Sequence, residues 1–243
     1  MPNACDRRAR GVPHMANRLT HDYGQIDRDY AIGLATCDPE RDGPIYMVNL
    51  MKYREVAAYD ASSSGDAAPI SGREADDRYN PSSILNKIGA SIIFVADVAA
   101  NDRGVGDWDR IAVVRYPTRR SFIEMQSRKD FGEKHEHKAA GMSRTIIACC
   151  RPLDAAFDDR GRPAPGDIAT RHVSLVLSGA ATAPSMPDHA VGFTVEGTVI
   201  GDGRVWTHVW FTSEPLPLHA SFTTAPEELY ALTLVPTMDG ITQ

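Results

Sequence analysis

The chain has 243 residues, 42% hydrophobic and 24% charged, which suits one large domain or two of common size with an ample core. A net charge of −6 excludes a sequence-independent nucleic-acid binder, which needs a basic surface to displace counterions. No apolar run is long enough to span a membrane, and no h-region follows Arg7, Arg8 and Arg10. The cysteines Cys5, Cys37, Cys149 and Cys150 show neither CxxC nor metal spacing, so a cytoplasmic protein with reduced thiols is expected.

Residues 1–43 read as an N-terminal arm, with a short helix over Tyr30–Thr36 closed by the turn-rich CDPERDGP. Pro44–Met51 is the first clear strand, interrupted only by Asn49. Ala57–Ser71, rich in Ala, Ser, Gly and Asp, reads as a surface loop. Helical signals resume at Arg73; Pro81 splits the segment and Gly89 stops it. Ser91–Val98 and Trp108–Tyr116 flank NDRGVGD and should form a hairpin. Pro117 ends the second of these strands, and Thr118 is a plausible N-cap for a helix carrying Phe122, Ile123 and Met125. A further helix holds Phe131–Ala140, and Arg144–Cys150 is a strand that points Cys149 and Cys150 to opposite faces.

This β-α-β-β-α-β order predicts a ferredoxin-like domain over residues 44–152. Residues 153–169 read as a linker. The stretch 170–243 is β-rich: His172–Ser178 alternates, Gly192–Ile200 and Arg204–Thr212 flank the turn Gly201-Asp202-Gly203, Leu216–Thr223 suggests a short helix, and Tyr230–Pro236 a last strand. The block from Phe94 to Phe122 lies over the block from Phe193 to Phe222 with small offsets. A tandem repeat follows, in which the second half has lost most of its helices. The fold class expected is α+β, a ferredoxin-like dimeric α/β barrel built as a tandem pseudo-dimer with a degenerate second half.

Several motifs carry a resemblance: Gly43-Pro44, Asn49-Leu50-Met51-Lys52-Tyr53, Ser71-Gly72-Arg73-Glu74, Trp108-Asp109, Val114-Arg115-Tyr116-Pro117-Thr118 and His137-Lys138-Ala139-Ala140-Gly141-Met142. In this order they resemble DUF1330-type members of the dimeric α/β-barrel superfamily over residues 43–152. The resemblance implies two ferredoxin-like sheets packed into a barrel, a homodimer in the usual case, and small-molecule sites beside the sheets. Its members include cofactor-free monooxygenases, isomerases and cyclases, haem enzymes and proteins of unknown role, and fold alone does not choose among them.

Polar residues inside apolar strands are the first site candidates. Asn49, Asp97 and Arg115 either line a cavity and orient a substrate oxygen, or Asp97 and Arg115 form a structural pair at a sheet end. His137, taken from the HKAAG motif, is either a general acid/base or a solvated helix-end histidine. On a helix it sits one turn from Glu133, while His135 points elsewhere. The two histidines lack the further ligands a metal site needs, so no metal is expected. Trp206, His208 and Trp210 alternate on one hairpin strand; they either wall a pocket for a flat ligand or pack against the first half. Tyr46, Tyr79 and Trp108 join them as wall residues.

P-loop, GxGxxG, GxSxG and HExxH motifs are lacking, so no cofactor is expected. Two functions follow. One is a cofactor-independent isomerase, cyclase or oxygenase using acid/base chemistry on a small, largely apolar or aromatic substrate, with Arg115 and Asn49 stabilising charge and His137 or Asp97 moving the proton. The other is a non-catalytic binding protein for a hydrophobic small molecule. In either case the partner is a small molecule, with no nucleic acid and no membrane.

Overall fold

The structure, a computed structural model, describes residues 22–59, 68–159, 171–180, 186–215 and 225–242. The expected helix over 216–223, most of the arm, and the centres of the surface loop and the linker lie outside these residues. The elements are β1 (Gln25–Ile26), α1 (Arg28–Ala35), β2 (Ile45–Tyr53), α2 (Gly72–Tyr79), α3 (Ser82–Lys87), β3 (Ser91–Arg103) and β4 (Arg110–Tyr116). They continue with α4 (Arg119–Ser127), α5 (Lys129–Gly141), β5 (Met142–Pro152), β6 (Val173–Ser178), β7 (Val191–Gly201), β8 (His208–Thr212) and β9 (Leu229–Asp239). No helix among the described residues is long and apolar enough to cross a membrane.

The local signals act where their chemistry places them. Thr118 caps α4 in a reciprocal capping box with Ser121, which satisfies two otherwise orphaned groups at the helix start. Pro81 separates α2 from α3. Gly89 takes φ of +70°, and the amide of Ala90 then bonds back to Leu85 O at 2.9 Å, closing α3 as a left-handed glycine allows.

The expected ferredoxin-like α+β class is overturned. The chain forms one closed, eight-stranded antiparallel β-barrel, mostly strand, in the cyclic order β7-β5-β2-β4-β3-β9-β6-β8, with β8 returning to β7 and β1 added outside on β7. The tandem pseudo-dimer of two sheets gives way for a physical reason. Strand β3 runs on to Arg103 and pairs with β9 from Phe94↔Asp239 to Arg103↔Ala231, while β5 pairs with β7 from Ile147↔Ile200 to Pro152↔Phe193. Both seams are therefore hydrogen-bonded, and barrel closure removes the free edges that two separate sheets would keep. Strands from residues 45–152 fill one half of the circumference and those from 173–239 the other.

One face of every barrel strand fills the interior. Val48, Leu50, Phe94, Ile111, Val113, Ala148, Cys150, Leu175, Phe193, Phe211 and Leu232 belong to one buried cluster. Phe157, Phe193, Phe211 and Phe94 meet edge-on at centroid distances of 5.2–6.0 Å, the geometry aromatic quadrupoles favour. On the opposite face of β2 and β5, Met47, Met51, Ile147 and Cys149 form a second cluster with Leu34, Leu85, Phe122 and Phe131 from the helices. Cys149 and Cys150 thus point to opposite faces, as strand alternation requires.

The β7–β8 hairpin is wider than its Gly-Asp-Gly turn predicts. Pairing covers only Val191–Thr194 against His208–Phe211, and Arg204 folds back on Asp202 and Tyr230.

Candidate functional site

The candidate site is a cavity of about 790 Å³ between the helical layer and the outer faces of β2, β3, β4, β5 and β7. That volume lies within the range of small-molecule pockets. Met47, Val114, Leu85, Phe122, Ile123 and Ile147 make much of its wall apolar. Its polar lining is sparse: Asn49, Asp76, Asp77, Arg110, His135 and Lys138 are the groups that matter.

Arg110 organises one margin. Its guanidinium donates to Asp77 at 2.8 Å, Asp76 at 3.4 Å and Asp97 at 3.3 Å. Asp76 also accepts from the Tyr53 hydroxyl at 2.7 Å, and Arg73 donates to Asp97 at 2.9 Å. Burial works against the Arg110 charge, but Tyr53 and the carboxylates of Asp77 and Asp76 more than offset it and hold the group firmly protonated.

Helix α5 supplies the other polar groups. Phe131, His135 and Lys138 all line the cavity. His135 stacks on Phe131 at 5.1 Å and meets Tyr79 edge-on at 6.3 Å; its Nε2 lies 3.1 Å from the Tyr23 hydroxyl. Lys138 is 9% exposed, with Nζ 5.4 Å from the centre of the Tyr79 ring. Burial pushes the Lys138 ammonium below its ordinary pKa, opposed in part by Asp76. Tyr23 and Tyr79 are raised, chiefly by burial.

The residues singled out from sequence are dispersed. Asn49 lines the cavity, where its amide donates to Met47 O at 2.9 Å and Ala112 O at 3.4 Å. Tyr79 lines it as well. Asp97 sits beside it in the Arg110 cluster. Arg115 does not pair with Asp97: it faces the barrel interior and is held bidentately by Asp158, at 2.6 Å twice, with the Tyr46 hydroxyl on the same carboxylate at 2.5 Å. That group closes one end of the barrel under Phe157. His137 lies on another face of α5, its Nδ1 2.8 Å from the Tyr59 hydroxyl.

The tryptophans do not form one wall either. Trp108 and Trp206 are buried at the other barrel end, each against Tyr230 and each under an arginine, Arg144 at 4.8 Å and Arg204 at 4.7 Å. Trp206 precedes β8, so it escapes the alternation that puts His208 and Trp210 on the outside. Those two stack at 6.5 Å, with burial lowering the His208 pKa. Trp210 packs beside Val176, Leu229 and Ala231.

Sequence reasoning missed Tyr23, Arg110, His135 and Lys138. The signal for two of them was present: Phe131, His135 and Lys138 recur at i, i+4 and i+7, the spacing of one helix face turned to a core. Arg110 was hidden because both faces of β4 are apolar, so alternation did not say which was lined by the cavity.

No family model matches the chain, so the DUF1330-type likeness rests on its motifs. No curated protein matches it. Among solved structures, a methylated RPA0582 protein is 25% identical with a TM-score of 0.46, covering 54% of this chain and 97% of that one. RPA0582, described as a protein of unknown function from Rhodopseudomonas palustris, is 24% identical with a TM-score of 0.46, covering 54% of this chain and 98% of that one.

Proposed function

We propose that this protein binds a small, largely apolar molecule in the cavity between its helices and its barrel. The observation that supports it is the cavity itself: about 790 Å³, walled mostly by aliphatic and aromatic side chains, with a few polar groups on helix α5 and around Arg110. The barrel interior serves as the rigid backing. Its rings interlock, so the tryptophans that looked like pocket walls act in packing at the barrel end and on its outer face.

A neutral fluorescent ligand such as N-phenyl-1-naphthylamine tests this. Ala112→Trp places an indole on the cavity face of β4 and should weaken dye binding roughly tenfold or more, equivalent to about 1.4 kcal/mol. Trp210→Ala, on the far side, should leave it unchanged. Equal affinity of Ala112→Trp and the parent chain would refute the site.

A catalytic reading has one observation in its favour. His135 and Tyr23 meet within hydrogen-bond reach in the cavity wall, a pair able to give and take a proton at a bound ligand's oxygen. Its test is loss of turnover in His135→Gln with dye affinity retained.

A further inference from the structure

Each of the chain's lysines but one has a polar partner. Lys52 pairs with Asp107 and Asp109, Lys87 with Asp130 and Lys129 with Glu133, while Lys134 donates to Asn80 O at 2.8 Å. Lys138 is the exception. Among the described residues its Nζ has no hydrogen-bond acceptor and no carboxylate within ion-pair distance, and it lies over the face of Tyr79. It is also the most buried of the lysines and the one that lines the cavity. An ammonium in a largely buried position without an acceptor is disfavoured, and the deprotonated amine that burial favours is a nucleophile that opens on the cavity.

We propose that Lys138 captures a carbonyl ligand, an apolar aldehyde or ketone, as an imine within this cavity. The inference rests on the cavity being the ligand site. The amine nitrogen attacks the carbonyl carbon; a C–N bond forms and the carbonyl oxygen takes a proton to give a carbinolamine. Loss of that hydroxyl as water, with a proton leaving nitrogen, gives the C=N bond, so amine and carbonyl are converted to imine and water with no oxidant or reductant. His135, one turn earlier on the same face and hydrogen-bonded to Tyr23, is placed to pass the protons.

Charge favours a neutral carbonyl over a carboxylate ligand. Whenever the Lys138 amine is deprotonated, as the attack requires, the carboxylates of Asp76, Asp77 and Asp97 outnumber the guanidiniums of Arg73 and Arg110 that pair with them. An anion would meet net negative charge there.

Cinnamaldehyde with sodium cyanoborohydride, followed by peptide mass mapping, tests the proposal, with cinnamyl alcohol as the matched ligand that has no carbonyl. The expected result is a reduced adduct at Lys138 whose yield drops when the dye occupies the cavity, while labelling of Lys52, Lys87, Lys129 and Lys134 does not respond. The alcohol should displace the dye without forming an adduct. If the alcohol displaces the dye but the aldehyde labels only the other lysines, the imine inference falls and the cavity site stands. If neither compound displaces the dye and Lys138 stays unlabelled, both fall.

Discussion

Removing the negative partner of Arg119 is the sharpest test of how the two halves of the barrel are tied. Arg119 opens α4, and Glu196 stands on β7, so their ion pair links an early helix to a late strand. The guanidinium meets the carboxylate in a fork, Nη2 to Oε1 at 2.6 Å and Nε to Oε2 at 3.1 Å. The side chains are 4% and 5% exposed. Asp42 approaches the same guanidinium only at 3.9 Å, being engaged with the backbone amide of Arg119 at 2.5 Å. Breaking a buried pair by neutralising one member costs about 3–5 kcal/mol, because the remaining charge keeps its desolvation cost. In Glu196→Gln one acceptor remains, so the lower end applies, about 3 kcal/mol. At about 2–4 °C per kcal/mol for a chain this long, Tm should drop by roughly 6–12 °C. Thermal and urea denaturation followed by circular dichroism reads both numbers. Replacing both partners by apolar residues, Arg119→Met with Glu196→Leu, should be less damaging than Glu196→Gln alone. A Glu196→Gln loss below about 1 kcal/mol, the scale of an exposed pair, would refute the reasoning.

Four other outcomes are expected. Asp158→Asn weakens the fork that holds Arg115 and should cost about 1–3 kcal/mol in urea denaturation, yet leave dye binding intact because that group faces the barrel interior. Asp97→Asn tests pH dependence: burial opposes the charge, but Arg73 and Arg110 outweigh it and lower the carboxyl pKa from 3.8. The stability it contributes is present above the unfolded pKa and lost as pH falls through the folded one, so the deficit of the variant at neutral pH should begin to shrink near pH 3.8 and vanish below the lowered folded value. Lys138→Met should raise Tm at neutral pH, since burial, only partly opposed by Asp76, makes the folded chain bind that proton less well than the unfolded chain; the gain should shrink as pH climbs towards the ordinary lysine value of 10.5. Gly192→Val drives a Cβ into the Trp210 ring and should cost about 1–3 kcal/mol by overpacking, measurable as a lower urea midpoint.

What the sequence by itself determined is local. Thr118, Pro81 and Gly89 specify where helices start and stop, because capping, ring closure and positive φ act within a few residues. The alternation of Val173, Leu175 and Leu177 likewise marks an interior face. Tertiary structure decided the rest. Closure into one barrel depends on β3 pairing with β9 and β5 with β7, contacts between segments far apart in the chain that leave no short-range mark. Strands β2, β4 and β5 are apolar on both faces, one serving the barrel and the other the helices, so periodicity did not assign Arg115 inward or Arg110 to the cavity. Lys138 entered the sequence reading only as part of the HKAAG motif; the packing of α2 against α5 encloses it beside Tyr79. The i, i+4, i+7 spacing of Phe131, His135 and Lys138 marked the helix face, but that packing decided the burial of the amine.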